Sequence, residues 1–276
     1  MTYPPAIWRL IRNAPSQGAW NMAVDEAILE STGRGESPPT LRLYAWDPPC
    51  LSIGYAQQIS EVDQSQLSQL GWQCVRRPTG GRAILHTDEL TYAVIGPVDE
   101  PRLAGSLLEC YQRLAQVLLD ALQLLGIPAS INPASESIPL TAGFNPVCFE
   151  VPSQSEITWN DMKLIGSAQA RRKDAILQHG SLPLYGDLTR IIQVLSFPDE
   201  SHRHKAITRL RKRATTAEDI LGYRLEWETA SQAFERAFAR VLNLTFQSGG
   251  LSPSESLRAY ELYKIKYTTS QWMENR

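Results

Sequence analysis

A cysteine sits in a stretch too broken to be a helix, "GFNPVCFEVPSQ" (143–154). Such a thiol can be an inert small hydrophobe, half of a disulfide, a metal ligand or a nucleophile. As a nucleophile, Cys148 would need a cationic or basic neighbour to lower its pKa from about 8.5. Its adjacent residues offer none. Lys163, in the strand-like run "MKLIGSAQ", or a histidine can supply one only through the fold. An inward-facing Lys163 would lose solvation, its pKa would fall, and it would serve as acid, base or carbonyl polariser. The alternative is a solvent-facing lysine on an edge strand.

A second group of residues lies in "RRPTGGRAILH" (76–86). Two arginines before a Gly-Gly pair read either as an anion cradle or as a simple hairpin turn between strands. The run is neither a P-loop nor a G-x-G-x-x-G fingerprint. His86 at its end, and His179 in "QHGS", would each line a site or merely pin a loop. "HRHKAITRLRKR" (202–213) holds six Lys or Arg residues. It reads as a solvated helix face or a dock for an acidic protein.

These residues must be positioned by elements that the pattern partly reveals. "SQGAWNMAVDEAILEST" reads as a helix stopping near Gly33. "TLRLYAW" and "CLSIGYA" read as strands around Asp47-Pro48-Pro49. "SEVDQSQLSQLG" reads as a helix capped by Ser60, followed by strands "QCVRR" and "ELTYAVIG". The clearest helix is 106–125, with capping-box residues Ser106 and Glu109, an apolar stripe from Leu107 and Tyr111 to Leu125, and Gly126 as its stop. Residues 128–155 read as irregular. "EITW-ND-MKLIGS" is a hairpin turning at Asn160-Asp161, and "AILQHGSLPLY" another strand. The last hundred residues read as helical and polar. The alternation predicts a single α/β (α+β) domain, 1–247, with 248–276 as a short C-terminal extension.

Composition narrows the class. A net charge of −2 argues against a dominant nucleic-acid role. The longest strongly apolar stretch, 114–126, is far below the ~20 residues of a membrane span. No signal pattern is present, so a soluble, cytoplasmic protein is expected. Cys50, Cys74, Cys110 and Cys148 have spacings of 24, 36 and 38, which disfavours a zinc site and suggests free thiols. No metal is expected. Cys74 and Cys110 read as packing residues, and Cys50 has no partner in view.

Three ordered motifs spanning roughly 8–245 resemble the biotin/lipoate protein ligase superfamily. "RRPTGGRAILHTDELTY" is similar to its Arg-Arg-x-[Ser/Thr]-Gly-Gly…His signature. "MKLIGSAQ…LQHGS" is similar to its Lys-x-x-Gly-Ser-Ala block with the following His-Gly-Ser strand, and "WNMAVDEAIL" fits its first helix. The resemblance implies mixed sheets flanked by helices, with a tunnel for an eight-carbon chain. It implies substrate contacts from Arg76, Arg77, Thr79, Gly80, Gly81, His86, Gly166, Ser167, Ala168, His179 and Gly180. "NPVCFE" resembles the Cys-Phe segment of the ligase-like octanoyltransferases, which implies Cys148 as nucleophile and Lys163 as its partner. Arg82 stands where ligases often have a third glycine, and only about thirty residues follow 245.

The implied reaction moves octanoyl from acyl carrier protein to a lipoyl-domain lysine, such as that of the glycine cleavage H protein, with no cofactor. An ATP-dependent lipoate ligase, an amidotransferase between lipoyl domains and a non-catalytic acyl- or biotin-binding regulator are the alternatives.

Overall fold

The computed structural model describes residues 3–132 and 156–274. Cys148 lies outside the described residues. In chain order the elements begin with β1 (Ala6–Arg12), α1 (Gly18–Gly33), β2 (Thr40–Tyr44), β3 (Cys50–Ile53), α2 (Gln64–Gln69), β4 (Gln73–Arg76), β5 (Ile84–His86) and β6 (Glu89–Pro97). Then come α3 (Leu107–Leu124), β7 (Ser130–Asn132), β8 (Glu156–Trp159), β9 (Met162–Arg171) and β10 (Ala175–Pro183). The chain continues with α4 (Glu200–Arg213), α5 (Ala217–Leu221), α6 (Trp227–Leu242), β11 (Leu244–Ser248), α7 (Pro253–Leu262) and α8 (Ser270–Glu274).

Eight strands form one mixed sheet, ordered β11-β1-β2-β6-β10-β9-β8-β7. The β11–β1 and β1–β2 pairs are parallel and the rest antiparallel. β6 is buried along nearly its whole length, as a central strand covered on both faces should be. One face packs against α3 and α6 through Leu114, Leu118, Phe234 and Phe238, all 0–1% exposed. On the other face Met22, Val24 and Ile28 of α1 pack with Ala259 and Leu262 of α7. Arg9 of β1 ties α7 down with two bonds to Glu255, at 2.7 and 2.6 Å.

A smaller sheet, β4-β3-β5, stands beside the large one. Because β4 and β5 both pair with β3, the Gly-Gly loop between them crosses the end of β3. It is not a hairpin turn between neighbours. Gly54 makes this crossing possible, since a Cβ there would lie 1.9 Å from the carbonyl oxygen of Gly81.

Several sequence expectations change. The helix expected to be capped by Ser60 starts later. Residues 59–61 form a 3₁₀ turn, and Asp63 caps α2 by accepting from the Gln66 amide at 2.9 Å. β1 and β11 were not legible. Ile7 is 66% exposed beside a fully buried Trp8, and the parallel pairing joins residues 6–10 to 244–248. The last hundred residues are therefore not wholly helical. By contrast, α3 has both bonds of its capping box, and Asn160 and Asp161 take φ of 46° and 63° in the hairpin turn. Among the described residues no helix is long and apolar enough to cross a membrane.

Leu118 sits at the centre of the α3–α6 contact. Leu118→Ala should destabilise the fold by about 2–5 kcal/mol, the range for an uncollapsed leucine cavity. A urea unfolding curve should show a lower midpoint with an unchanged slope.

Candidate active site

The large and small sheets meet at a cavity of about 600 Å³, within the usual size range for small-molecule sites. Lys163 projects into its wall. β9 lies between β10 and β8, so this lysine is on an interior strand, and its side chain is only 5% exposed. A register shift near Ile157 and Thr158 interrupts the β8–β9 ladder opposite it, a device that re-aims side chains. The Lys163 Nζ donates to Glu156 Oε1 at 2.6 Å. Sequence reading missed Glu156. The signal available was the Asn160-Asp161 turn, which folds β8 back along β9.

The facing wall is the glycine loop. Arg77 donates to the carbonyls of Ser52, Gly80 and Arg82 at 2.8–3.1 Å, and to Ser52 Oγ at 3.1 Å. Behind it the Ser52 hydroxyl meets His86 Nε2 at 2.7 Å, and His86 Nδ1 meets Glu89 at 2.7 Å. The carboxylate places the imidazole proton on Nδ1, so Nε2 accepts from Ser52. The His86 ring also stacks on Trp46, with centroids 4.0 Å apart. This order of atoms matches a hydrolytic triad. Ser52, however, is wholly buried in β3 and its oxygen accepts from Arg77. The chain of bonds ties the loop to β5 and β6.

A second chain of bonds anchors the floor. Asp25 of α1 accepts from Arg42 at 2.6 Å and from the Tyr44 hydroxyl at 2.9 Å, and it faces His179 Nδ1 at 3.4 Å. His179 Nε2 then meets the Thr79 hydroxyl at 2.7 Å. Burial resists ionisation of Asp25, but the Arg42 charge and the His179 bond outweigh it and hold the carboxyl below its ordinary range. Burial lowers the pKa of His179, and the opposing pull of Asp25 does not restore it.

Of the residues singled out in the sequence, Arg77, Gly80, Gly81, His86, Lys163, Gly166, Ser167, Ala168, His179 and Gly180 line the cavity together. Arg76 does not. Its guanidinium points away and donates to the carbonyls of Gly54, Tyr55, Gln57, Trp272 and Met273. Nor is Thr79 among the lining residues; it stands behind His179. Both are placed as supports of the wall because their polar atoms are already spent on protein partners. Gly180 has no room for a side chain, since a Cβ would come within 2.5 Å of the Gly166 oxygen and 2.8 Å of Tyr92.

The apolar lining was less legible. Met22, Trp46, Ile84, Leu107, Leu108 and Tyr111 all contribute. Leu107 and Leu108 are 50% and 38% exposed, so the first turn of α3 faces the cavity mouth rather than the core. The three described cysteines are poor nucleophiles. Burial raises the pKa of Cys50 and Cys110, and it pushes Cys74 up to about 12.

Known proteins agree with this architecture. The family model described as the lipoyl protein ligase A/B catalytic domain matches residues 17–239. The chain belongs to that family. It is 39% identical to octanoyltransferase LipM of Moorella thermoacetica, over 99% of this chain and 100% of that one. Identity to octanoyltransferase LipM of Symbiobacterium thermophilum is 40%, over 96% and 97%. Among solved structures, the bi-partite lipoate protein ligase of Thermoplasma acidophilum superposes with a TM-score of 0.81 at 26% identity, covering 98% of this chain and 96% of that one. A lipoate-protein ligase A bound with ATP gives 0.79 at 25% identity, covering 99% of both. The chain is an acyltransferase of this family, and the mixed sheet flanked by helices is the ligase catalytic fold.

Burial of His179 fixes a pH dependence of stability. Below its ordinary pKa of 6.5 the unfolded chain takes up a proton that the folded ring refuses. This contribution is therefore whole above pH 6.5 and is lost as the pH falls. The urea midpoint should decline between pH 7.5 and 5.5, and His179→Gln should flatten that decline. An equal slope in the variant would refute the assignment.

Proposed function

We propose that the protein is an octanoyltransferase of lipoate biosynthesis that takes octanoyl from acyl carrier protein and delivers it to a lipoyl-domain lysine through a thioester on Cys148. The observation that carries this reading is a lysine ammonium in the wall of a largely apolar cavity, opposite a rigid glycine loop. The names of the full-length relatives support it. So does the unsuitability of the buried cysteines, which leaves Cys148 as the thiol for the task.

In the first half-reaction the Cys148 thiolate adds to the donor's thioester carbonyl. A new C–S bond forms, the donor's C–S bond breaks, and the departing thiolate takes up the proton that Cys148 gave. Lys163 favours the thiolate by its charge and can ferry that proton. Thioester exchange is nearly isoenergetic, so no ATP is required. In the second half-reaction the neutral acceptor amine adds to the same carbonyl. The C–N bond forms, the C–S bond breaks, the amine proton is released, and Cys148 leaves as a thiolate beside Lys163. The product amide is far more stable than a thioester, which drives the transfer forward. A covalent intermediate also lets the two protein partners bind in turn.

The resemblance to an ATP-bound ligase favours a second reading, ATP-dependent attachment of free lipoate. Intact mass measurement separates the two. Incubation with octanoyl-acyl carrier protein alone should add one octanoyl group to Cys148, removable by hydroxylamine and absent in Cys148→Ala. Lys163→Ala should slow transfer by about 10²-fold or more, as loss of an acid–base group does. Attachment that requires ATP and survives Cys148→Ala would select the ligase.

A further inference from the structure

We infer that the outward face of α4 is the docking surface for the acyl donor, an acidic carrier protein; the inference rests on the octanoyl-transfer reading. Six Lys or Arg residues in Glu200–Arg213 stand against one acid, Glu200, which pairs with Arg203 at 3.1 Å. The whole chain has a net charge of −2, so the helix's surplus of five leaves the remainder at −7. The positive charge is thus local to this helix.

It is also ordered on one side. Ala206 and Leu210 are buried against the turn at 188–194. Ser201, His204, Lys205, Thr208, Arg209, Lys212 and Arg213 recur at steps of three and four and line an open groove of about 640 Å³. Arg211, Lys212 and Arg213 in the last turn suit the helix dipole, a local reason for cations at that end. The dipole does not reach Lys205, two turns earlier, so it does not explain the stripe.

Placement connects this face to the chemistry. Immediately after α4, Ala214 bridges to Lys163, and the Thr215 amide donates to the Lys163 carbonyl at 3.1 Å. The basic helix therefore ends against the strand residue whose ammonium reaches the cavity. A partner seated along α4 would present its cargo beside that residue. The charge selects the donor over the acceptor. A carrier protein delivers its acyl chain on an arm attached through an anionic phosphodiester. An acceptor approaches with a cationic lysine, which a basic margin repels. Such complementarity acts mainly on encounter and KM, and salt screens it.

The test is steady-state kinetics of the double variant Lys205→Glu, Lys212→Glu with two donors: octanoyl-acyl carrier protein and octanoyl-pantetheine, which has neither phosphate nor protein. The KM for the carrier protein should rise at least ~10-fold with little change in kcat, and its salt dependence should be lost. The rate with octanoyl-pantetheine should be unchanged, which also reports an intact fold. An unchanged carrier-protein KM would overturn the inference, as would a rise confined to the KM of the acceptor, or equal losses with both donors. Wild-type enzyme inert toward both thioesters would overturn the transfer reading itself, and the docking surface with it.

Discussion

An ammonium cannot be left in an apolar wall without an opposite charge beside it, because the cost of losing water is several kcal/mol. In this protein the compensation is local. Lys163 and Glu156 belong to the two strands of one hairpin, 2.6 Å apart at the charged atoms. The left-handed turn at Asn160 and Asp161 closes that hairpin, and the register shift in its ladder sets which residues oppose Lys163. A one-residue slip would turn the lysine to the other face of the sheet. Most of what the cavity can do depends on that register.

The facing wall achieves rigidity by different means. Arg76 and Arg77 look like a pair of anion hooks, yet their donors go to carbonyls of the surrounding backbone. Glycines let the loop cross the end of β3, and arginines satisfy the carbonyls that such a crossing leaves unpaired. Ser52, His86 and Glu89 brace the loop from below, and Asp25, His179 and Thr79 brace it from α1 and β10. The described walls are thus braced by the protein's own hydrogen bonds, as positional chemistry requires.

How much of this was legible followed from the range of the interactions. Local signals worked: the capping box of α3, the Asn160-Asp161 turn and the long strands of the central sheet could all be read from neighbouring residues. Motif resemblance then brought together ten of the lining residues. Partners distant in sequence were not readable. The β1–β11 pairing spans almost the whole chain, and Asp25 meets His179 from 154 positions away. Arg76 stands outside the lining, because sequence shows the charge of a guanidinium but not the carbonyls that occupy it. Leu107 and Tyr111 belonged to a stripe that looked like core, but its first turns open onto the cavity.

In the proposed reaction Lys163 keeps the thiol of Cys148 ionised. Following the rate of Cys148 alkylation by iodoacetamide against pH tests it directly, with Cys50, Cys74 and Cys110 replaced by alanine so that a single thiol reports. The midpoint should lie well below the ~8.5 of a free cysteine and return toward that value in Lys163→Met. An identical midpoint with and without the lysine would contradict it.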